Sequence, residues 1–182
     1  MTGLVSPSEL GQTLVHEHLS MSFDVAYVPP SLENTDKISM PFSMENLGWI
    51  RYNPYSHRPN LKLNDKECET AIASELAMYR AAGGGTIVEC TSHGIERKAN
   101  FLRELSEASG VKVITGTGYY VAASHNDIMY QEPIENLVNL MHNEIIDGCK
   151  EAPQIRCGII GELGCSWPLH GYYFLFICLL SY

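Results

Sequence analysis

The sequence predicts an α/β fold in which a parallel sheet is built from βαβ units. Three observations support this prediction: four short apolar segments, three amphipathic helical segments, and the alternation of the two along the chain. Strands that alternate with helices form parallel sheets, because each helix returns the chain to the starting end of the sheet. The 182 residues are enough for one domain with a buried core.

The first strand and the first helix are marked by pattern and capping signals. Residues 12–17 (QTLVHE) form a short apolar run of a length that suits a buried barrel strand. Asn64 and Glu67 resemble a capping box at a helix start. The apolar residues that follow recur at spacings of four and three until the glycines at 83–85 end the helix: Cys68, Ile72, Leu76 and Tyr79.

The remaining elements continue the alternation. Residues 86–91 (TIVECT) are β-branched and predict the second strand, and a helix with one apolar face follows and ends at Gly110. Residues 111–117 predict the third strand, and a third helix begins near Pro133 and ends at Gly148. Residues 156–163 (RCGIIGEL) predict the fourth strand.

One long segment interrupts this order. Residues 19–63 contain five prolines and show no sustained period of either kind. Most connections in compact domains are about 4–6 residues long, and much longer ones tend to carry function. We expect a binding loop with a helical turn or two.

Both a doubly wound sheet and a barrel fit the alternation. A doubly wound dinucleotide-binding sheet would carry G-x-G-x-x-G after its first strand. The nearest approach is Gly116-Thr117-Gly118, which lacks the third glycine and follows the third strand. A barrel normally has eight strands and about 250 residues, so this chain would supply about half of one.

Charge and cysteine content exclude several classes of partner. The formal net charge of −9 and the absence of a basic stripe argue against nucleic acid and membrane surfaces. The six cysteines form no C-x-x-C pair, and the N-terminus lacks a signal-peptide pattern. We therefore expect reduced thiols in a cytoplasmic protein.

Two histidines at the end of the first strand are candidate metal ligands. Side chains two apart on a strand project from the same face, so His16 and His18 converge while Glu17 points away. Neutral imidazole is a common ligand for zinc and similar divalent ions. For an H-x-H pair alone, a chance occurrence is as good an explanation as a metal site.

Glu162 is a candidate oxygen ligand at the end of the fourth strand. Ile159 and Ile160 predict a buried run, and burying an unpaired carboxylate costs at least about 2 kcal/mol, which a metal would remove. The glycines at 161 and 164 allow close approach. The alternative is a solvated acid at a strand end.

Several separated motifs together resemble one known family. The segments Gly11–Leu19, Gly85-Thr-Ile-Val-Glu, Gly116-Thr-Gly-Tyr-Tyr and 157–168 (CGIIGELGCSWP) look like the animal phosphotriesterase-related members of the phosphotriesterase family, in the amidohydrolase superfamily. The resemblance spans about residues 3–169. It implies the N-terminal half, about four βα units, of a (β/α)8 TIM barrel of the metal-dependent hydrolase type.

The resemblance also implies the chemistry. The resemblance matches His16 and His18 to the family's H-x-H ligands of the more buried of two ions, for which zinc is the expected metal, and it matches Glu162 to the carboxylate that bridges both. A hydroxide held between the ions then attacks a small ester or amide, with N-acyl amides such as N-acetyltaurine among the implied substrates. The family's remaining ligands, two histidines and a proton-transferring aspartate, follow the fifth, sixth and eighth strands.

Three weaker candidates lie after the middle strands. Tyr119 and Tyr120 fall where the family places an aromatic of the substrate pocket, and His93 follows the second strand on the same rim. Rim packing and a solvated loop histidine are the alternatives. No role is assigned to the other four histidines: His57, His125, His142 and His170.

The C-terminal tail departs from the family pattern. Residues 1–168 are expected to form the partial barrel, whereas 169–182 are apolar, uncharged and too short for a membrane span of about 20 residues. An alternative or truncated transcript would explain them, and open sheet edges would favour self-association. The rival interpretation is a non-catalytic truncated product that binds at most one ion or pairs with another chain.

Overall fold

The described strands form one parallel sheet in the order β1-β2-β3-β4. The computed structural model describes residues 3–126 and 131–168. The strands are β1 (Gln12–Glu17), β2 (Gly84–Glu89), β3 (Lys112–Thr117) and β4 (Ile159–Ile160). Sequential order with parallel pairing is the arrangement of barrel strands, and these four strands with their helices form half of a TIM barrel.

Helices lie between the strands along the chain. They are α1 (Met44–Tyr52), α2 (Lys66–Ala81), α3 (Ala99–Ser109) and α4 (Ile134–Ile146). Gly110 ends α3 in the left-handed conformation, with φ of 71°, which glycine adopts without steric cost. Seven buried residues form the main core cluster, and they come from α2, β2, α3, β3 and the positions just after β1 and just before β3: Leu19, Leu76, Ile87, Leu102, Leu105, Val111 and Val113.

The helix predictions hold apart from one cap. The predicted capping box at Asn64 is wrong, because the side chain of Asp65 accepts the Cys68 N–H at 2.8 Å and caps α2. Asp65 is the residue directly before the first helical turn, where a carboxylate reaches the free N–H groups. The apolar face of α2 is nevertheless the predicted one, since Leu76 is buried and Ile72 and Tyr79 pack beside it.

The segment 19–63 is more ordered than the sequence indicates. It contains α1 and four 3-10 helices, Asp24–Ala26, Leu32–Lys37, Pro54–Ser56 and Arg58–Leu61. Prolines at the first turns of the last two are compatible with helix starts and hide the helical period. The expectation of a helical turn or two was therefore too low.

The outer strands differ from their predicted form. β1 is mostly exposed instead of buried, because among the described strands it pairs only with β2. The fourth strand covers two residues instead of the predicted 156–163. The buried run expected there is wrong, since Ile160 is 46% exposed.

No helix in the described parts of the chain is long and apolar enough to cross a membrane. The apolar tail at 169–182 lies outside the described residues.

Candidate metal centre

The carboxyl ends of the two outer strands bring three donor side chains together. His16 lies in β1, His18 follows it directly, and Glu162 lies two residues after β4. Glu162 Oε2 is 3.2 Å from His16 Nε2, and Glu162 Oε1 is 3.5 Å from His18 Nε2. The three residues predicted as ligands therefore form one cluster, whose donor atoms all lie within 4.8 Å of one another.

The backbone of Cys90 joins the two outer segments. Its N–H donates to the Glu17 carbonyl at 2.8 Å, and its carbonyl accepts the Glu162 N–H at 3.2 Å. Cys90 directly follows β2, so the end of this inner strand fixes the position of the outer donors. The Gly161 N–H also donates to the Thr117 carbonyl at 2.8 Å, which ties the Glu162 segment to β3.

The donor set fits a divalent transition-metal ion. Zinc binds imidazole nitrogen and carboxylate oxygen at about 2.0–2.2 Å, so two ligand atoms of a tetrahedral site lie roughly 3.4 Å apart. The separations of 3.2 and 3.5 Å between the imidazole nitrogens and the carboxylate oxygens match this value. Two nitrogens and a carboxylate are also the ligand types that zinc prefers.

Exposure differs across the cluster. The side chain of His16 is 56% exposed and that of Glu162 is 22% exposed. Burial lowers the pKa of His18, although the charge of Glu162 opposes this shift. Burial thus favours the neutral His18 ring, whereas Glu162 is accessible from the open side of the sheet.

The weaker candidates occupy different environments. Tyr119 is 7% exposed and packs with Leu137 and Met141, and its ring lies 5.3 Å from that of His93. Tyr120 is only half-buried, and burial and then the charge of Glu162 raise its pKa. Of these three candidates, Tyr120 is the one whose pKa is raised by the charge of Glu162, a residue of the candidate metal centre.

His93 and its neighbours form a separate network. His93 Nε2 lies 3.1 Å from Glu144 Oε2, and Arg97 donates to Glu144 and Glu151 at 2.6 Å each. Glu144, Cys149 and Glu151 are close enough together to hold an ion. Because the guanidinium of Arg97 already pairs both carboxylates, this second cluster is an ion-pair network.

Sequence reasoning missed two buried residues beside the centre. Glu89, the last residue of β2, is fully buried, and Thr91 donates to its Oε1 at 2.5 Å. The Thr91 hydroxyl also lies 3.0 Å from His18 Nδ1. A carboxylate inside the apolar run TIVEC was the available signal, since burying a charge demands partners.

The four strands form a partial TIM barrel that carries a cluster of histidine and carboxylate side chains at the carboxyl ends of its outer strands. The phosphotriesterase family profile matches residues 1–172, and the chain belongs to this family. The chain is 48% identical to human N-acetyltaurine hydrolase and 47% identical to the mouse protein, over 92% of this chain and 47% of each relative. It thus spans about half the length of the curated relatives that it matches.

Two solved structures share the fold. A resiniferatoxin-binding protein from Rhodobacter sphaeroides superposes with a TM-score of 0.86 and 30% identity, covering 94% of this chain and 47% of that one. The phosphotriesterase homology protein from Escherichia coli, solved with phosphate in its active site, gives a TM-score of 0.62 at 22% identity over 89% of this chain and 44% of that one. The second similarity shows the fold alone.

Proposed function

We propose that this chain forms the first half of the active site of a metal-dependent hydrolase that acts on a small ester or amide. The observation that supports it is the convergence of His16, His18 and Glu162 at separations suited to one divalent ion. Family membership supports the same chemistry, because the phosphotriesterase family is metal-dependent. Zinc is the first candidate for the ion.

The ion and the chain have separate roles. A divalent ion supplies Lewis-acid polarisation of a carbonyl or phosphoryl oxygen and lowers the pKa of water toward about 7. His16 and His18 offer imidazole nitrogens from a strand and from the residue after it, which limits the loss of side-chain entropy on binding. Glu162 supplies negative charge, and its two oxygens face different histidines.

Two ions are proposed for the complete site. A carboxylate with one oxygen facing each histidine can serve one ion or bridge two. The resemblance assigns the other ligands to two histidines and an aspartate after later strands. Within the described residues, only His16, His18 and Glu162 are available at this centre, so this chain provides one side of the proposed pair.

The proposed substrate is a small N-acyl amide. The curated relatives at 47–48% identity are N-acetyltaurine hydrolases, which supports an acylated amine with an acidic group. Tyr120, half-buried near Glu162, is proposed to line the substrate pocket, with Tyr119 and His93 behind it. The rival proposal is a protein that binds one ion without catalysis. It is supported by the coverage of the relatives, because this chain spans 47% of the mouse protein's length.

Metal analysis of the purified chain tests the centre. After zinc loading and dialysis, wild type is expected to retain stoichiometric zinc, and His18→Ala and Glu162→Gln are expected to lose it because each removes a ligand. His142→Ala is the matched control, since His142 lies exposed on α4. Absence of stoichiometric metal in folded wild type would contradict the proposed centre.

Because this chain provides one side of the proposed two-ion site, we expect it to be inactive alone, and an assay of hydrolysis tests that expectation. Release of taurine from N-acetyltaurine by the zinc-loaded chain, lost in Glu162→Gln, would support the hydrolase. Stoichiometric zinc without hydrolysis would support the non-catalytic alternative for this chain.

We also propose a cytoplasmic location, which the free thiols of Cys68, Cys90, Cys149, Cys157 and Cys165 support. Cell fractionation with thiol labelling tests it, and a secreted or oxidised product would contradict it.

A further inference from the structure

A buried carboxylate lies behind the proposed metal ligands without being one of them. Glu89 ends β2 and is fully buried. Its Oε1 accepts the Leu19 N–H, and its Oε2 accepts the Thr91 N–H, each at 3.2 Å. Both oxygens therefore act as acceptors for the two chain segments that leave β1 and β2.

The hydroxyl of Thr91 connects this carboxylate to His18. It lies 2.5 Å from Glu89 Oε1 and 3.0 Å from His18 Nδ1. Burial raises the pKa of Glu89 to about 7, so its carboxylate is ionised at pH 8, and the single proton of the Thr91 hydroxyl must then be donated to it. The Thr91 oxygen is then left as an acceptor toward His18.

The direction of these two hydrogen bonds fixes which nitrogen of His18 carries the proton. Because Thr91 accepts, Nδ1 must be the donor, and a neutral ring then has its lone pair on Nε2. Nε2 is the nitrogen that lies 3.5 Å from Glu162 Oε1, on the side of the proposed ion. The lone pair therefore points to where a ligand is required.

We propose that Glu89 and Thr91 are positioning residues that hold His18 in the Nδ1–H tautomer and orient its Nε2 toward the metal. This inference rests on the proposed metal centre and deepens it. Hydrogen bonding of the second ring nitrogen also orients histidine ligands and raises their basicity. Glu89 accepts a hydrogen bond from the Thr91 hydroxyl and another from the Leu19 N–H, so it holds both the hydroxyl and the backbone that follows His18.

Zinc affinity of conservative variants tests the inference. Thr91→Val keeps the shape of the side chain and removes the hydroxyl, and Glu89→Gln keeps the shape and removes the charge. Each is expected to weaken zinc binding about 10–100-fold, the usual effect of losing such a partner. Thr91→Ser retains the hydroxyl and is expected to bind zinc within a few-fold of wild type. Titration calorimetry with zinc alone at pH 8 measures these affinities.

The matched control for Thr91→Val is Thr86→Val, which lies in β2. Thr86 is also fully buried and donates its hydroxyl to the Leu10 carbonyl at 2.6 Å, near the opposite end of β2. Its variant suffers a similar loss of a buried hydrogen bond, so its zinc affinity should stay near that of wild type. Thermal unfolding without zinc identifies any variant that does not fold.

A second readout uses the metal-free protein. Nitrogen-15 NMR of the imidazole rings should show the Nδ1–H tautomer for His18 in wild type and Thr91→Ser, and a mixture of tautomers in Thr91→Val. Wild-type tautomer in Thr91→Val, or equal zinc affinities in Thr91→Val and Thr86→Val, would overturn the positioning role alone. Failure of wild type to bind zinc would overturn the metal centre and this inference together.

Discussion

Glu144 is the most heavily bonded carboxylate in the described part of the chain. Arg97 donates Nη2 to its Oε1 at 2.6 Å and Nη1 to its Oε2 at 2.9 Å, and Thr117 donates to Oε2 at 2.5 Å. His93 completes the set at 3.1 Å. Because Glu144 belongs to α4 and Thr117 to β3, the network joins that helix to the sheet.

Hydrogen bonds decide the charge of this group. Burial raises the pKa of Glu144, but the bonds from His93, Arg97 and Thr117 outweigh burial and lower the pKa to about 2. Burial lowers the pKa of Arg97, and the bond to Glu144 reverses that shift and raises it. Both partners therefore stay charged over the ordinary pH range.

Acid should unfold the protein partly through Glu144. A pKa depressed from 4.5 to about 2 stabilises the folded state above pH 4.5, and this stabilisation, about 3 kcal/mol, is lost as the pH falls toward 2. Glu144→Gln should lower the free energy of unfolding at pH 7 by about 3 kcal/mol or more, and its curve should approach that of wild type in acid. Urea unfolding at a series of pH values measures both curves.

The control for this prediction is Glu135→Gln, which lies exposed in the first turn of the same helix. It should shift the free energy of unfolding by less than about 1 kcal/mol. Parallel pH curves for wild type and Glu144→Gln would refute the assignment.

At the scale of elements, a glycine lets the Glu162 segment approach β3. A Cβ at Gly116 would overlap the carbonyl oxygen of Gly161 and lie 3.2 Å from Ile159 Cγ1. Gly116 pairs with Ile159 across the sheet. Position 116 therefore needs a glycine, because Gly161, the residue before the proposed ligand Glu162, lies directly against it.

Gly116→Ala should displace this segment. Because the obstructing atom belongs to the backbone, it cannot rotate away, and overpacking of this kind costs about 1–3 kcal/mol. We expect a lower free energy of unfolding together with weaker zinc binding, as Glu162 moves relative to His16. Gly48→Ala, in α1 with no atom within 4 Å of the new Cβ, should instead stabilise by about 0.5–1 kcal/mol. Equal effects of the two variants in urea unfolding and zinc titration would contradict the prediction.

The sequence was most informative where a pattern repeats within one element. The apolar spacing of α2, α3 and α4 predicted all three helices, and the strand alternation predicted the sheet. The donor cluster was predictable because the carboxyl ends of parallel strands meet, which brings His18 and Glu162 together although 144 positions separate them. The resemblance predicted the family to which the chain belongs.

The sequence was least informative where long-range contacts decide. Only Ile50 of α1 is buried, so this helix has no extended apolar face that the sequence could show, and α1 was not predicted. The Thr91 bond to His18 depends on the register of β1 beside β2, which no local pattern specifies. The burial of Glu144 likewise depends on α4 packing against Arg97.

At the scale of the whole molecule, the described sheet has two edge strands, each paired on one side only. Among the described strands, β1 pairs only with β2 and β4 pairs only with β3. Val15 in β1 is 74% exposed, which is unusual for a β-branched residue on a strand. Unpaired N–H and carbonyl groups beside an exposed apolar side chain form a template for pairing with another chain.

The purified chain should therefore self-associate as its concentration rises from the micromolar to the submillimolar range. Val15→Lys places a charge on the edge strand and should weaken association, because a lysine there disfavours strand pairing. Leu32→Lys is the matched control: Leu32 is 91% exposed but lies in a 3-10 helix outside the sheet.

Sedimentation velocity of the metal-free proteins measures the effect of each lysine on self-association. A monomer at every concentration, or equal weakening by both lysines, would show that the strand edges do not drive association. Weakening by Val15→Lys alone would identify the β1 edge as the contact.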